Sequence, residues 1–318
     1  MNRRPAALIA ATGFLLGLVA SAAQALASDD IEPLRVHDTA QLIAALQPSN
    51  AGRRIELAAG EYLVDRPLAV PDGTTLVGAG TIQLDDDGLP RGFATDTAST
   101  LRVVGGFSGS VLTLGNGSAI QGLRVVDLPN TDAEPRRRLG NVVLVASRRP
   151  ADRVVASVVD CEIINPNQAG FTDDGPYGHG VAALTLNPSL GAPPAAHEGA
   201  AVAVRVERSL VRTQTGAVVF AINFAARGHI AVSLEGNQFA GYLVASGGVS
   251  RPDAVTGAET AIESRRNRYT SSARARFGWT LIGGSTSPHF TGAGIPGASG
   301  VTLRVDAEGD RIEGFETG

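Results

Sequence analysis

The chain has 318 residues with 27 basic against 31 acidic side chains, a formal net charge of −4, and every basic residue is arginine. Chemistry that needs a lysine, as a base or as a Schiff-base amine, is excluded, and an acidic surface repels nucleic acid and anionic membranes. With 39 glycines, 43% apolar residues and 5% aromatics, the composition suits thin, repetitive β-coils better than a globular α/β core, and one cysteine cannot form an internal disulfide.

In chain order, Arg3 and Arg4 precede an apolar, charge-free run from Leu8 to Val19, followed by the small-residue frames Ala23-Gln24-Ala25 and Ala25-Leu26-Ala27. This is the layout of a secretory signal peptide, here assigned to residues 1–27, and the apolar run is too short to span a bilayer. The expected mature chain, 28–318, is a single secreted or periplasmic domain without a stable membrane span. Cleavage leaves 25 arginines against 31 acids, a net charge of −6. Cys161 lies far from the cleavage frames, which excludes a lipid anchor there, and its strand-like surroundings read as those of a buried small hydrophobe.

Between Val36 and Pro48 the apolar spacing predicts one amphipathic helix over 36–47, capped by Asp38 or Thr39 and stopped by Pro48. Strand-like runs follow at Arg54–Leu57, Leu68–Val70 and Thr75–Val77, with turns read at Ala59–Tyr62 and Pro71–Gly73. Gly60, Tyr62, Pro71, Gly73, Thr75, Leu76, Gly78 and Gly80 resemble the opening of the pectate-lyase-like superfamily. The resemblance implies an all-β, right-handed parallel β-helix solenoid with a short N-terminal capping α-helix. That superfamily holds lyases, hydrolases, epimerases and adhesins, so the resemblance speaks to fold rather than reaction.

Weak internal repetition points the same way. The segments 159–164, 206–211, 234–239 and 264–269 align, with a last copy at 310–312, placing Glu162, Ser209, Asn237, Asn267 and Asp310 in one column. Their intervals of 47, 28, 30 and 43 residues read as two coils, one, one and two. Asn237 and Asn267 are expected to stack as ladder residues rather than to act in catalysis. The rhythm breaks at 131–138, at 166–199 and at 271–300, and irregular loops on a rigid scaffold are where function usually sits.

The run Asp173-Asp174-Gly175-Pro176-Tyr177-Gly178-His179-Gly180 joins paired carboxylates to a histidine, a set able to supply general acid and general base. It holds the letters of two polygalacturonase-type motifs, although that family separates them by a full coil. Its other reading is a Gly/Pro/Asp turn whose aspartates cap backbone amides. The catalytic candidates are Asp173, Asp174, His179 and Arg212; a pectate-lyase type of mechanism would take its base from Arg205, Arg208 or Arg212, among which the spacing does not choose. Tyr177, Arg205, Arg208 and Trp279 are the candidates for substrate binding. Calcium is the one cofactor the acidic pairs could hold, while the histidines show no metal-ligand spacing. Asp85-Asp86-Asp87 reads either as a solvated loop or as a calcium spot. Scattered aromatics disfavour neutral glycans, whereas arginines suit carboxylate and sulfate groups. Two functions follow: a lyase or hydrolase acting on an acidic extracellular polysaccharide, or a non-catalytic surface protein for glycan binding, adhesion or self-assembly through its C-terminal coil.

Overall fold

Short strands punctuated by glycine cannot bury their apolar rows singly, and neighbouring coils solve this by stacking. The computed structural model describes residues 32–129, 139–147, 149–172, 175–185, 198–250, 255–272, 278–286 and 298–315. They form a parallel β-solenoid with three faces. The first face is a nine-stranded parallel sheet running from Leu34–Val36 and Arg54–Leu57 to Glu259–Arg265 and Thr302–Glu308. The second face runs from Gly60–Val64 through Ser99–Val103, Leu123–Val126 and Glu162–Asn165 to Arg311–Glu313, and the third from Leu68–Val70 to Trp279–Ile282. These two faces merge into one 13-stranded sheet because Leu210–Ile222 and Gln238–Ser246 run without a break around the edge between them.

Alternation sends every second side chain of each face inward, and the parallel register stacks like upon like. On the first face Ile55, Leu76, Ile120, Val158, Val206 and Leu234 form one inner column, each at most 1% exposed. On the second, Tyr62, Leu101, Val125, Ile163, Val211, Phe239 and Tyr269 form another. Each such side chain contributes roughly 1.5–3 kcal/mol relative to exposure. Buried Tyr62 keeps its hydroxyl satisfied by donating to the carbonyls of Val36 and Ala58 at 2.8 and 3.0 Å.

The predicted helix is present but shorter, Thr39–Ala45; Asp38 caps it by accepting from the Gln41 N–H at 2.8 Å, and Leu42 and Ala45 are buried against the first coil. Val36 belongs to the first face, and Gly60–Val64 is a strand where a turn was expected, because Tyr62 and Val64 supply a buried alternate row. No helix among the described residues is long and apolar enough to cross a membrane.

From Gly122 onward the edge between the first and second faces is regular. Gly122, Asp160, Arg208, Gly236, Arg266 and Gly309 all have positive φ, between 45° and 69°, one above another. After Gly122 comes the buried Leu123, but from Asp160 onward the next residue in each coil, Cys161, Ser209, Asn237, Asn267 and Asp310, is polar or small, and these make a ladder. Ser209 Oγ accepts from the Cys161 N–H, Asn237 Oδ1 from the Ser209 N–H, and Asn267 Oδ1 from both the N–H and the side-chain amide of Asn237. Asp310 Oδ1 closes the ladder on the Asn267 N–H at 2.7 Å.

Two readings of the repeat are corrected here. Glu162 pairs with Leu210, so Cys161 and not Glu162 shares the column of Ser209. Arg153–Val159 pairs directly with Ala201–Glu207, and Glu259–Arg265 with Thr302–Glu308, so the intervals of 47 and 43 residues are single coils lengthened by insertions. The irregular stretches are interrupted by regular strands: Val181–Leu184 lies within 166–199 and Trp279–Ile282 within 271–300, both on the third face. The assigned signal segment lies outside the described residues.

Candidate functional site

The outer surface of the second face gathers unlike charges across several coils beside the Gly170–Tyr177 hairpin. Its first outer column contains Glu61, Thr100, Arg124, Glu162, Leu210 and Gln238, and its second contains Leu63, Arg102, Ile164 and Arg212. Arg124 donates to Glu162 at 2.7 Å, and Arg212 stands 3.6 Å from the other oxygen of the same carboxylate. The Glu162 side chain is 6% exposed, Arg212 48%. Arg102 donates to Glu61 at 2.9 Å, and that hydrogen bond holds the exposed Glu61 carboxyl below its ordinary range.

Two guanidinium groups therefore bracket one buried carboxylate, which leaves an excess of one positive charge at this point of the face. Arg212 has donors to spare, since one long contact occupies little of a five-donor fork. Arg102 and Arg212 are three strands apart, about 14 Å at the usual strand spacing. The arrangement can bind anionic groups repeated along an extended polymer lying across the coils.

The sequence-selected residues are dispersed. Asp173 and Asp174 lie outside the described residues, between the hairpin strands Gly170–Thr172 and Gly175–Tyr177. The base of that hairpin rests against the strand of Arg212, with the Ala169 N–H donating to Thr215 Oγ1 at 2.8 Å. Tyr177 lies across Gly170, leaving no room there for a Cβ. His179 is buried, its ring stacked on Phe220 at 3.9 Å, its Nδ1 accepting from the Ala217 N–H at 3.0 Å, and burial holds its pKa down at about 3. It is a neutral structural imidazole near neutral pH. Arg205 is on the first face, paired with Glu207, and Arg208 sits in the regular edge, paired with Asp160 at 2.8 Å and with Glu207. Trp279 packs edge-on against Tyr269 at 5.7 Å. Of the eight, Arg212 alone presents a charged group on the second face among the described residues.

Glu162, Arg124 and Arg102 were not singled out from sequence, although the alternation in Glu162-Ile163-Ile164 carries the signal once the register is right. In the Asp85–Asp87 run Asp86 and Asp87 are exposed, as a solvated loop predicts, but two of the three carboxylates are engaged in ion pairs. Asp85 pairs with Arg268 at 2.9 Å, and Asp87 with Arg268 at 3.2 Å and Arg311 at 2.7 Å. Hydrogen bonding from the Leu89 N–H is the first cause that lowers the Asp85 pKa. No group of three His, Cys, Asp or Glu side chains among the described residues is placed to hold a metal ion. Cys161 is fully buried, its thiol pushed up to about 12 by desolvation.

No family model and no curated protein matches the chain. Among solved structures it is similar to an alginate lyase from Paenibacillus sp. str. FPU-7, at 11% identity over 86% of this chain and 99% of that one, with a TM-score of 0.31. It is also similar to the Streptococcus pneumoniae surface protein and adhesin PfbA, at 10% identity over 92% of this chain and 99% of that one, with a TM-score of 0.24. Likeness at this level carries no argument about activity.

Proposed function

We propose that this chain is an exported β-solenoid, secreted or periplasmic, that binds an acidic extracellular polysaccharide along its second face, with Arg212, Arg124 and Arg102 engaging carboxylate or sulfate groups. The observation that carries the reading is the pair of guanidinium groups, Arg124 and Arg212, around the buried carboxylate of Glu162. Glu162 orients the arginines, and the polymer supplies the missing negative charge. The sparse aromatics leave little stacking surface for neutral sugars. Turnover by elimination or hydrolysis would draw on Arg212 with the sequence candidates Asp173 and Asp174.

The test is binding of the mature protein to polygalacturonate, alginate and dextran sulfate, with and without calcium, while unsaturated-uronate absorbance and reducing ends are followed. We expect retention on at least one acidic polymer, weakening with salt, and a loss of about tenfold in Arg212→Ala, on the scale of a 1.4 kcal/mol charged contact. Absorbance or new ends with that retention would make the protein a lyase or a hydrolase. Absence of binding to every acidic polymer would sink the proposal.

A further inference from the structure

We propose that the Asp85–Asp87 hairpin tip is a tethered carboxylate ligand that occupies an anion site formed by Arg268 and Arg311, and that an acidic glycan displaces it. This rests on the glycan-binding reading of the second face and adds a step that regulates it.

The hairpin, Ile82–Leu84 paired antiparallel with Pro90–Phe93, leaves the solenoid in the second coil between the first and second faces. Its root is fixed by burial. Phe93 and Ile82 pack on Ala98 and Leu210, and Phe93 lies so close over Gly80 that a Cβ there would come within 2.2 Å of the ring. Its outer part is held differently. Leu84 is exposed, and Asp85 and Asp87 reach arginines 181 to 224 residues further along the chain.

Arg268 and Arg311 stand in the same outer column as Arg124 and Glu162, through Leu210 and Gln238. They therefore continue the arginine row of the second face beyond Arg212, and the hairpin tip covers that continuation. The Arg268 Nε is buried with no acceptor, and an open concavity of about 340 Å³ borders the tip, between Leu89 and the coil residues Glu207, Arg208, Glu235, Arg266 and Arg311. A root closed by packing and a tip whose carboxylates are held by ion pairs make a contact that can open at one end.

Carboxylates on the tip and carboxylates or sulfates on a polymer make the same charge-assisted hydrogen bonds to a guanidinium. The tip has the advantage of being tethered, the polymer that of presenting many groups at once. A polymer anchored at Arg212 gains Arg268 and Arg311 when the tip lifts.

The test compares binding of polygalacturonate and dextran sulfate to the mature protein and to Asp85→Asn/Asp87→Asn, with Asp86→Asn as the control that removes one tip charge without removing any of the three ion pairs. We expect the double variant to bind about tenfold tighter than the control, a gain that Arg268→Ala/Arg311→Ala abolishes in the same background. Equal affinity of double variant and control would overturn the inference while leaving the second-face reading in place. Binding by the double variant alone, unaffected by Arg212→Ala, would support the occupied site and overturn that reading. No binding in any form would overturn both. Hydrogen exchange of residues 85–89 supplies a readout free of polymer: exchange that does not rise in the double variant would contradict a tip held by these pairs.

Discussion

The two edges that border the second face are built on opposite plans. At the edge shared with the first face, one coil carries the Ile82–Phe93 hairpin, but from Asp160 onward each turn puts one residue in the left-handed region and the next on the ladder, so these coils stack with nearly identical geometry. At the edge shared with the third face, two strands pass straight through while other coils throw out excursions such as the Gly170–Tyr177 hairpin, anchored by dissimilar contacts around Asn141, Asn165 and His179. A repeated hydrogen-bond pattern tolerates no change in length, because a shifted residue would leave its neighbours' N–H groups unpaired in the core. Individually satisfied contacts tolerate insertion, and that is where loop-borne chemistry can be added without disturbing the stack.

The largest effect expected is at the ladder. Asn237→Ala strips partners from the Ser209 N–H and the Val206 carbonyl and should cost about 3 kcal/mol, read from the urea midpoint. A loss under about 1 kcal/mol would mean water or local shifts replace the ladder.

The other edge should respond to pH through His179. Its folded pKa near 3 lies below the unfolded value of about 6.5, so the unfolded chain takes the proton first as the pH is lowered. This contribution is whole above pH 6.5 and shrinks toward pH 3, by roughly 3 kcal/mol at pH 4. Subtracting the stability profile of His179→Gln from that of the wild type should isolate the slope, and parallel profiles would contradict a buried neutral imidazole.

Gly122→Ala should cost about 2 kcal/mol, since a Cβ at φ +62° also meets the carbonyl oxygens of Gly78 and Gly80 at 2.9 Å. The smallest change is expected at Arg266, which holds the same left-handed conformation with only an exposed pair to Glu235. Arg266→Gly should stabilise by about 1 kcal/mol less a few tenths for the lost pair, measured by the same urea titration. If Gly122→Ala and Arg266→Gly fail to differ in sign, the left-handed column does not govern this edge.

Much of the architecture was legible in local pattern. Alternating Val, Leu and Ile between glycine turns, the Asp38 cap and the asparagines at 237 and 267 each act on their own coil or the next, and their outcome follows from period and spacing. The misreadings arose where an insertion lengthened a coil. From Cys161 to Ser209 the chain makes one circuit with a hairpin inside it, and length alone reads as two circuits.

Sequence by itself determined the stacked β-coils, the capping helix and the ladder asparagines, because these depend on residues near in sequence or one repeat away. Only the tertiary structure decided that Cys161 shares the column of Ser209, that Glu162 lies between Arg124 and Arg212, and that His179 is walled in by Phe220. It alone brought Asp85 to Arg268 across 183 residues, since partners so distant are set by how many coils lie between them and by where each insertion leaves the stack.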